Sequence, residues 1–370
     1  MRADEITEAR GGAGDQGAGE SQWPKLADLP LVIEACQYER LHAAISDELT
    51  RVTTHVRLTG DGHDGLGEDI SVMDEEEGTA LHVTQPALSL EGEWTLAGFC
   101  DRLATLALWP QPPEWDAALL WRRWAFESAA LDLALRQAGR PLHDVLGLQP
   151  QPVRFVNSLG LGKPPTIDSV RRRLARSAGV RFKLDAEASW PPDLVSEIAA
   201  TGAVDTIDFK GQYGLDVDDP DALGALYDRV LAAFPDAYLE DPHDLPEIAE
   251  RLADHLERVS YDAPIHRAQD IGATPLAARV VNVKPSRIGS LRELFEVYAR
   301  CAREQRPMYG GGMGELGVGR GQIELLASLF HPDTPNDVAP SAYNQDDPAS
   351  GLPPSPLPPR PDATGFRWTE

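Results

Sequence analysis

The pattern of apolar and polar positions changes texture once along the chain. Leu31–Ala35 and then Arg51–Leu58 read as strands, the second in the β-branched alternation of a half-buried sheet. A glycine-rich stretch follows through Gly60, Gly62, Gly65 and Gly67, which predicts a turn. Residues 95–147 read as helices. The clearest is Trp121–Ala138, dense in Ala, Leu and Trp, with Gly139 placed as a C′ glycine and Pro141 just beyond. Strands followed by segregated helices predict a separate α+β domain over residues 29–147.

From Val153 onward strand and helix patterns alternate. The strand candidates are Val153–Ser158, Val180–Asp185, Val204–Lys210, Ala237–Glu240, Val259–Asp262, Arg279–Lys284, Pro307–Gly310 and Asp337–Ser341. Helical stretches such as Asp221–Phe234 and Leu291–Arg303 separate them. Eight strands predict an α/β fold, a parallel (β/α)8-type barrel over residues 148–345, with an open doubly wound sheet as the alternative. Residues 1–28 lack periodicity and are expected to form a flexible leader. After residue 346 the run Pro353, Pro354, Pro356, Pro358 and Pro359 predicts an extended tail that packs back towards the first domain.

Composition narrows the function classes. With 34 Lys+Arg against 59 Asp+Glu the formal charge is −25, which argues against a nucleic acid or an anionic membrane as partner. Cys36, Cys100 and Cys301 are far apart, with neither zinc spacing nor a disulfide framework, so a reducing cytoplasm is expected. No apolar run reaches the ~18 residues of a membrane helix, and no signal-peptide core opens the chain.

Five candidate strands end in an ionisable residue that interrupts an apolar run: Lys183, Asp208, Glu240, Asp262 and Lys284, each 22 to 32 residues from the next. That interval is about one β/α unit, so all five are expected on one ring at the barrel mouth, where catalytic groups of such barrels sit. Taken singly, each is a solvated acid or amine. Taken together, three converging carboxylates require a cation, and all-oxygen ligation selects Mg²⁺ (or Mn²⁺). Lysines beside such an ion are expected to have depressed pKa values suited to proton abstraction.

At these residues the chain resembles the enolase superfamily, in particular the muconate-lactonizing-enzyme-like subgroup of the mandelate racemase/muconate lactonizing enzyme family. The resemblance covers roughly residues 30–345. It is carried by Gly65–Glu68, the Ala-rich helix of the capping domain, Leu-Glu-Asp-Pro at 239–242, Asn-Val-Lys-Pro at 282–285 and the glycine-rich Gly310–Glu315. It implies Mg²⁺ held by Asp208, Glu240 and Asp262, and a small-molecule carboxylate substrate whose α-proton is removed to give an enediolate. It implies Lys183 and Lys284 as catalytic residues on opposite faces of that substrate, with Arg181, Lys210 and Glu315 in substrate binding. The reaction is then cycloisomerisation, racemisation or epimerisation, or an o-succinylbenzoate-synthase-like dehydration. A homo-oligomer is left open.

Three departures stand out. The subgroup's Lys-x-Lys matches either Arg181-Phe182-Lys183 or Lys183-Leu184-Asp185, and Lys210 replaces the usual Asn. The fifth strand reads Asp-Ala-Pro in place of the common Asp-Glu-Ser. A rival class keeps the fold as a catalytically lapsed, ligand-binding protein. Gly312-x-Gly314-x-x-Gly317 with Asp337 twenty residues on also matches a dinucleotide fingerprint, although almost no sheet follows it. His243, His266 and His331 are expected at the surface, and Trp121 and Trp124 in the core.

Overall fold

The computed structural model describes residues 19–45, 50–71, 80–177, 179–214, 217, 219–345 and 347–369. Two antiparallel pieces form the N-terminal part. β1 (Pro30–Ile33) pairs with β5 (Gly92–Thr95), and β2 (Ala35–Ala44), β3 (Thr50–Gly60) and β4 (His63–Asp69) form a meander. The alternation read in the sequence places Val52, Val56 and Leu58 of β3 in the interior.

The glycine-rich stretch is not one long turn. The turn is Asp61–Gly62 alone, and Gly65 and Gly67 lie within β4. The reason is close packing. A Cβ on Gly65 would stand 2.2 Å from the Ala129 carbonyl oxygen, and one on Gly67 would stand 2.0 Å from that of Ala125. Only glycine lets the helix Ala117–Gln137 press this closely on the sheet. That helix buries Trp121 and Trp124, as expected of core residues.

The C-terminal part is a parallel sheet of β6 (Asn157–Leu159), β7 (Phe182–Asp185), β8 (Val204–Asp208), β9 (Tyr238–Glu240), β10 (Val259–Tyr261), β11 (Val280–Val283) and β12 (Met308–Gly310), in sequential order. The expected eighth strand shrinks to two isolated parallel bridges, Gly311 with Asp337 and Phe155 with Asn336. They join the two edges of the sheet, so it closes on itself and the open-sheet alternative falls. Asn336 is fully buried there; its Oδ1 accepts the Gly310 N–H at 2.8 Å and meets His331 Nδ1 at 2.6 Å. His331 is therefore interior, contrary to the surface position expected for it.

Of the expected leader, residues 1–18 lie outside the described residues. The rest departs from expectation: Pro24–Ala27 is a short helix, with Trp23 and Leu26 buried. The proline-rich end crosses the barrel, where Leu357 bridges Val153, and reaches the helix Ala117–Gln137. There the buried Asp132 accepts the Phe366 N–H at 2.7 Å and Arg367 Nε at 2.6 Å. Among the described residues no helix is long and apolar enough to cross a membrane.

Candidate metal and acid–base centre

Parallel strands covered on both faces read as nearly continuous apolar runs, so an ionisable residue within one marks a special position. Asp208 and Glu240 are the last residues of β8 and β9, and Asp262 and Lys284 directly follow β10 and β11. Lys183 is the second residue of β7. All five are buried and converge at the C-terminal end of the sheet.

Lys183 Nζ is wedged between carboxylates. It contacts Glu240 Oε1 directly, lies 3.0 Å from Asp208 Oδ2 and 3.8 Å from Asp337 Oδ2. Lys284 Nζ is 2.7 Å from Asp262 Oδ2, and Arg287 Nε is 3.1 Å from Asp262 Oδ1. The other oxygen of Glu240 accepts from Tyr309. Asp241 adopts a left-handed backbone, φ 45°, and its carboxylate accepts the N–H groups of Asp262 at 2.8 Å and Ala263 at 3.0 Å.

Oxygens of Asp208, Glu240 and Asp241 lie within 4.8 Å of one another. In the whole cluster Lys183, Lys210, Lys284 and Arg287 face the carboxylates of Asp185, Asp208, Glu240, Asp241, Asp262 and Asp337, an excess of two negative charges. The pKa shifts locate that excess. Burial, reinforced by neighbouring carboxylates against the pull of Lys183, raises Glu240 to about 7. Burial and the nearby Asp262 and Glu240 raise Asp241 to about 8. Burial would also raise Asp208 and Asp262, but Lys183 and Lys210 hold the first well below the usual carboxylate range, and Arg287 and Lys284 hold the second at about 2. A buried, all-oxygen donor set with an excess of two negative charges fits a hard divalent cation.

The lysines depart from expectation. Burial opposes their charge, yet Asp208 and Glu240 hold Lys183 well above the ordinary lysine value, and Asp262 raises Lys284. The acids beside them outweigh the low dielectric.

The remaining expected site residues separate. Arg181 lies just outside the N-terminal end of β7, away from the mouth, and binds Asp205 through Nε at 2.7 Å. Lys183-Leu184-Asp185 is thus the tripeptide whose two polar ends reach the cluster. Lys210 sits at the centre, on Asp208. Glu315 is buried, accepts the Met313 N–H at 2.8 Å and lines a cleft between capping sheet and barrel. The cleft holds about 890 Å³ and carries Arg40, Arg51, Arg172 and Arg173. The dinucleotide fingerprint is spoken for: Glu68 of β4 accepts the N–H groups of Leu316, Gly317 and Gly319 where a pyrophosphate would lie. His243 bonds Tyr227 and His266 meets the Arg287 carbonyl, so both are only partly exposed.

Sequence reasoning missed Asp241, Arg287, Tyr309 and Asp337 as members of the cluster. Asp241 stands inside Leu-Glu-Asp-Pro and Arg287 two residues past Asn-Val-Lys-Pro, but their orientation depends on the backbone turn after each strand. Tyr309 reads in the sequence as an ordinary strand aromatic.

An antiparallel capping sheet against a closed parallel sheet, with acids and lysines at the C-terminal strand ends, is the fold of the enolase superfamily and its mandelate racemase/muconate lactonizing enzyme family. The chain belongs to the family of unknown-function domains DUF8230, whose C-terminal domain matches residues 149–345 and whose N-terminal domain matches residues 24–145. It is 28% identical over 342 residues to an N-succinylamino acid racemase of Thermus thermophilus, covering 85% of this chain and 84% of that one. It is 27% identical over 235 residues to an o-succinylbenzoate synthase of Geobacillus stearothermophilus, a match that spans only 59% of each. Among solved structures, a dipeptide epimerase of Methylococcus capsulatus complexed with Mg and the dipeptide L-Arg-D-Lys superposes with a TM-score of 0.63 at 20% identity, covering 85% of this chain and 92% of that one.

Proposed function

We propose that the protein is a Mg²⁺-dependent isomerase or lyase that removes the α-proton of a small carboxylate substrate. The observation that carries this reading is the buried carboxylate cluster, with two more acids than cationic side chains, flanked by lysines from β7 and from the end of β11. Asp208 and Glu240 would hold the ion, with the third oxygen from Asp262. Asp241 stands close enough, but its carboxylate already positions the backbone of Asp262 and Ala263. Bound there, the ion would supply positive charge against the negative charge that develops on the substrate carboxylate.

The lysines supply the proton chemistry. Lys284 and Lys183 approach from strands far apart around the ring, so a substrate between them meets one on each face. A lysine accepts the α-proton only when neutral, and the added positive charge of the ion shifts both in that direction. If both exchange protons the outcome is racemisation or epimerisation. If one does so and the other remains a fixed cation, the outcome is elimination or cycloisomerisation. The three free thiols support a reducing, cytoplasmic setting.

The test is incubation in D₂O with Mg²⁺ and a panel of N-succinyl amino acids, dipeptides and muconates, with α-deuterium read by NMR. Incorporation into one member supports the reading. A second reading, a ligand-binding protein without chemistry, is favoured by the burial of Lys183 among three acids; absence of exchange across the panel together with absence of Mg²⁺ binding would establish it.

A further inference from the structure

Lys210 sits among the acids of the cluster, and its surroundings give it a task. Asp208 Oδ2 is claimed by two ammonium groups, Lys183 Nζ at 3.0 Å and Lys210 Nζ at 2.5 Å. A divalent cation cannot share that oxygen with both. Lys183 cannot leave, because its side chain is 1% exposed and is held by Glu240 and Asp337 as well. Lys210 can. Its side chain is 35% exposed, and Asp185 Oδ1 waits 3.3 Å from its Nζ without a hydrogen bond of its own. Asp185 ends β7 level with Asp208, its Cα partner in the sheet, so a small rotation carries the ammonium from one carboxylate to the other. Lys210 also holds a left-handed backbone, φ 53°, while its own N–H bonds Asp208 Oδ1 at 3.0 Å. A non-glycine residue kept in that conformation at a cluster of charges is strain retained at a functional site.

We infer that Lys210 is a resident counter-ion of the metal site: it neutralises Asp208 when no ion is bound and moves onto Asp185 when one binds. The pair thereby sets the affinity for the ion. This inference rests on the metal reading proposed above, and it assigns to Lys210 and Asp185 a role separate from substrate binding.

The test is Mn²⁺ binding by calorimetry and electron paramagnetic resonance on the full chain without substrate. Asparagine tolerates the left-handed conformation, so Lys210→Asn keeps the backbone. It is expected to bind Mn²⁺ at least tenfold more tightly than the parent, and Lys210→Arg, which keeps the charge, to bind within about threefold of it. Asp185→Asn removes the second seat and is expected to weaken binding at least tenfold, an effect the double variant Lys210→Asn/Asp185→Asn abolishes. Thermal melts of each variant report whether the fold is kept. Equal affinity in parent and Lys210→Asn, or weaker binding in the variant, overturns the inference and leaves the metal site standing. Absence of Mn²⁺ binding in every protein overturns the metal reading and the inference together.

Discussion

Glu68 of the capping sheet accepts the backbone N–H of Gly319 at 2.9 Å, on the first turn of the helix Val318–Phe330. The same carboxylate takes the N–H groups of Leu316 and Gly317 and the Thr53 hydroxyl, at 1% exposure. A buried negative charge is thereby satisfied by otherwise orphaned donors at the positive end of a helix. The link also fastens the cap to the loop after β12 that borders the cleft between cap and barrel. Glu68→Ala is expected to cost about 3 kcal/mol, since it leaves several buried donors unpaired. Urea denaturation checks this, and a loss below about 1 kcal/mol would refute it.

Glu240→Gln removes a charge from the centre of the cluster and should weaken Mn²⁺ binding severely, by two orders of magnitude or so on the Coulomb estimate for a partly buried site. Asp262→Asn should weaken it more than Asp241→Asn, because Asp241 already serves two backbone N–H groups. Calorimetry on the three variants decides the ligand set; the reverse order would exchange Asp262 for Asp241.

Lys183→Ala and Lys284→Ala should each lower turnover of the substrate found in the D₂O screen by about 10²–10⁴-fold, the usual contribution of a positioned acid or base. Their exchange behaviour separates the mechanisms. With two bases each variant retains α-deuterium exchange for one enantiomer only. With one base, Lys183→Ala loses exchange entirely and Lys284→Ala keeps it slowly. Full activity in Lys183→Ala would refute its catalytic role.

Burial lowers His331 to about 4, against its Asn336 hydrogen bond, which raises it. The unfolded chain protonates this imidazole near pH 6.5 and the folded chain only near 4, so the unfolded state takes up the proton as pH falls through that window. Stability should therefore drop by about 2 kcal/mol between pH 7 and pH 5 on account of this one group. In His331→Gln, urea melts at the two pH values should lose that component. An unchanged pH slope would contradict it.

Much of this organisation was legible in the chain. The strand ends at Lys183, Asp208, Glu240, Asp262 and Lys284 stood out because a charge in a doubly covered strand is conspicuous, and the structure brings all five to one end of the sheet. What stayed hidden depended on contacts between distant segments. Gly65 and Gly67 look like turn glycines until the helix that lies against them is known. Arg181 and Lys183 have the same spacing as Lys183 and Asp185, and only the point where β7 begins separates the pair that reaches the mouth from the pair that does not. His331 carried no sign of burial, because its partner Asn336 is recognisable only where the sheet closes.

That closure has a consequence for the rest of the molecule. Where a complete strand would supply a ladder, the seam between β12 and β6 depends on two bridges and the amide of Asn336. A ring sealed this way has a weakest point fixed in advance. If both bridges opened, the flanks of β6 and β12 would become unpaired edges, templates on which another chain can add a strand. Aggregation, rather than gradual softening, is the failure that an opened seam would bring.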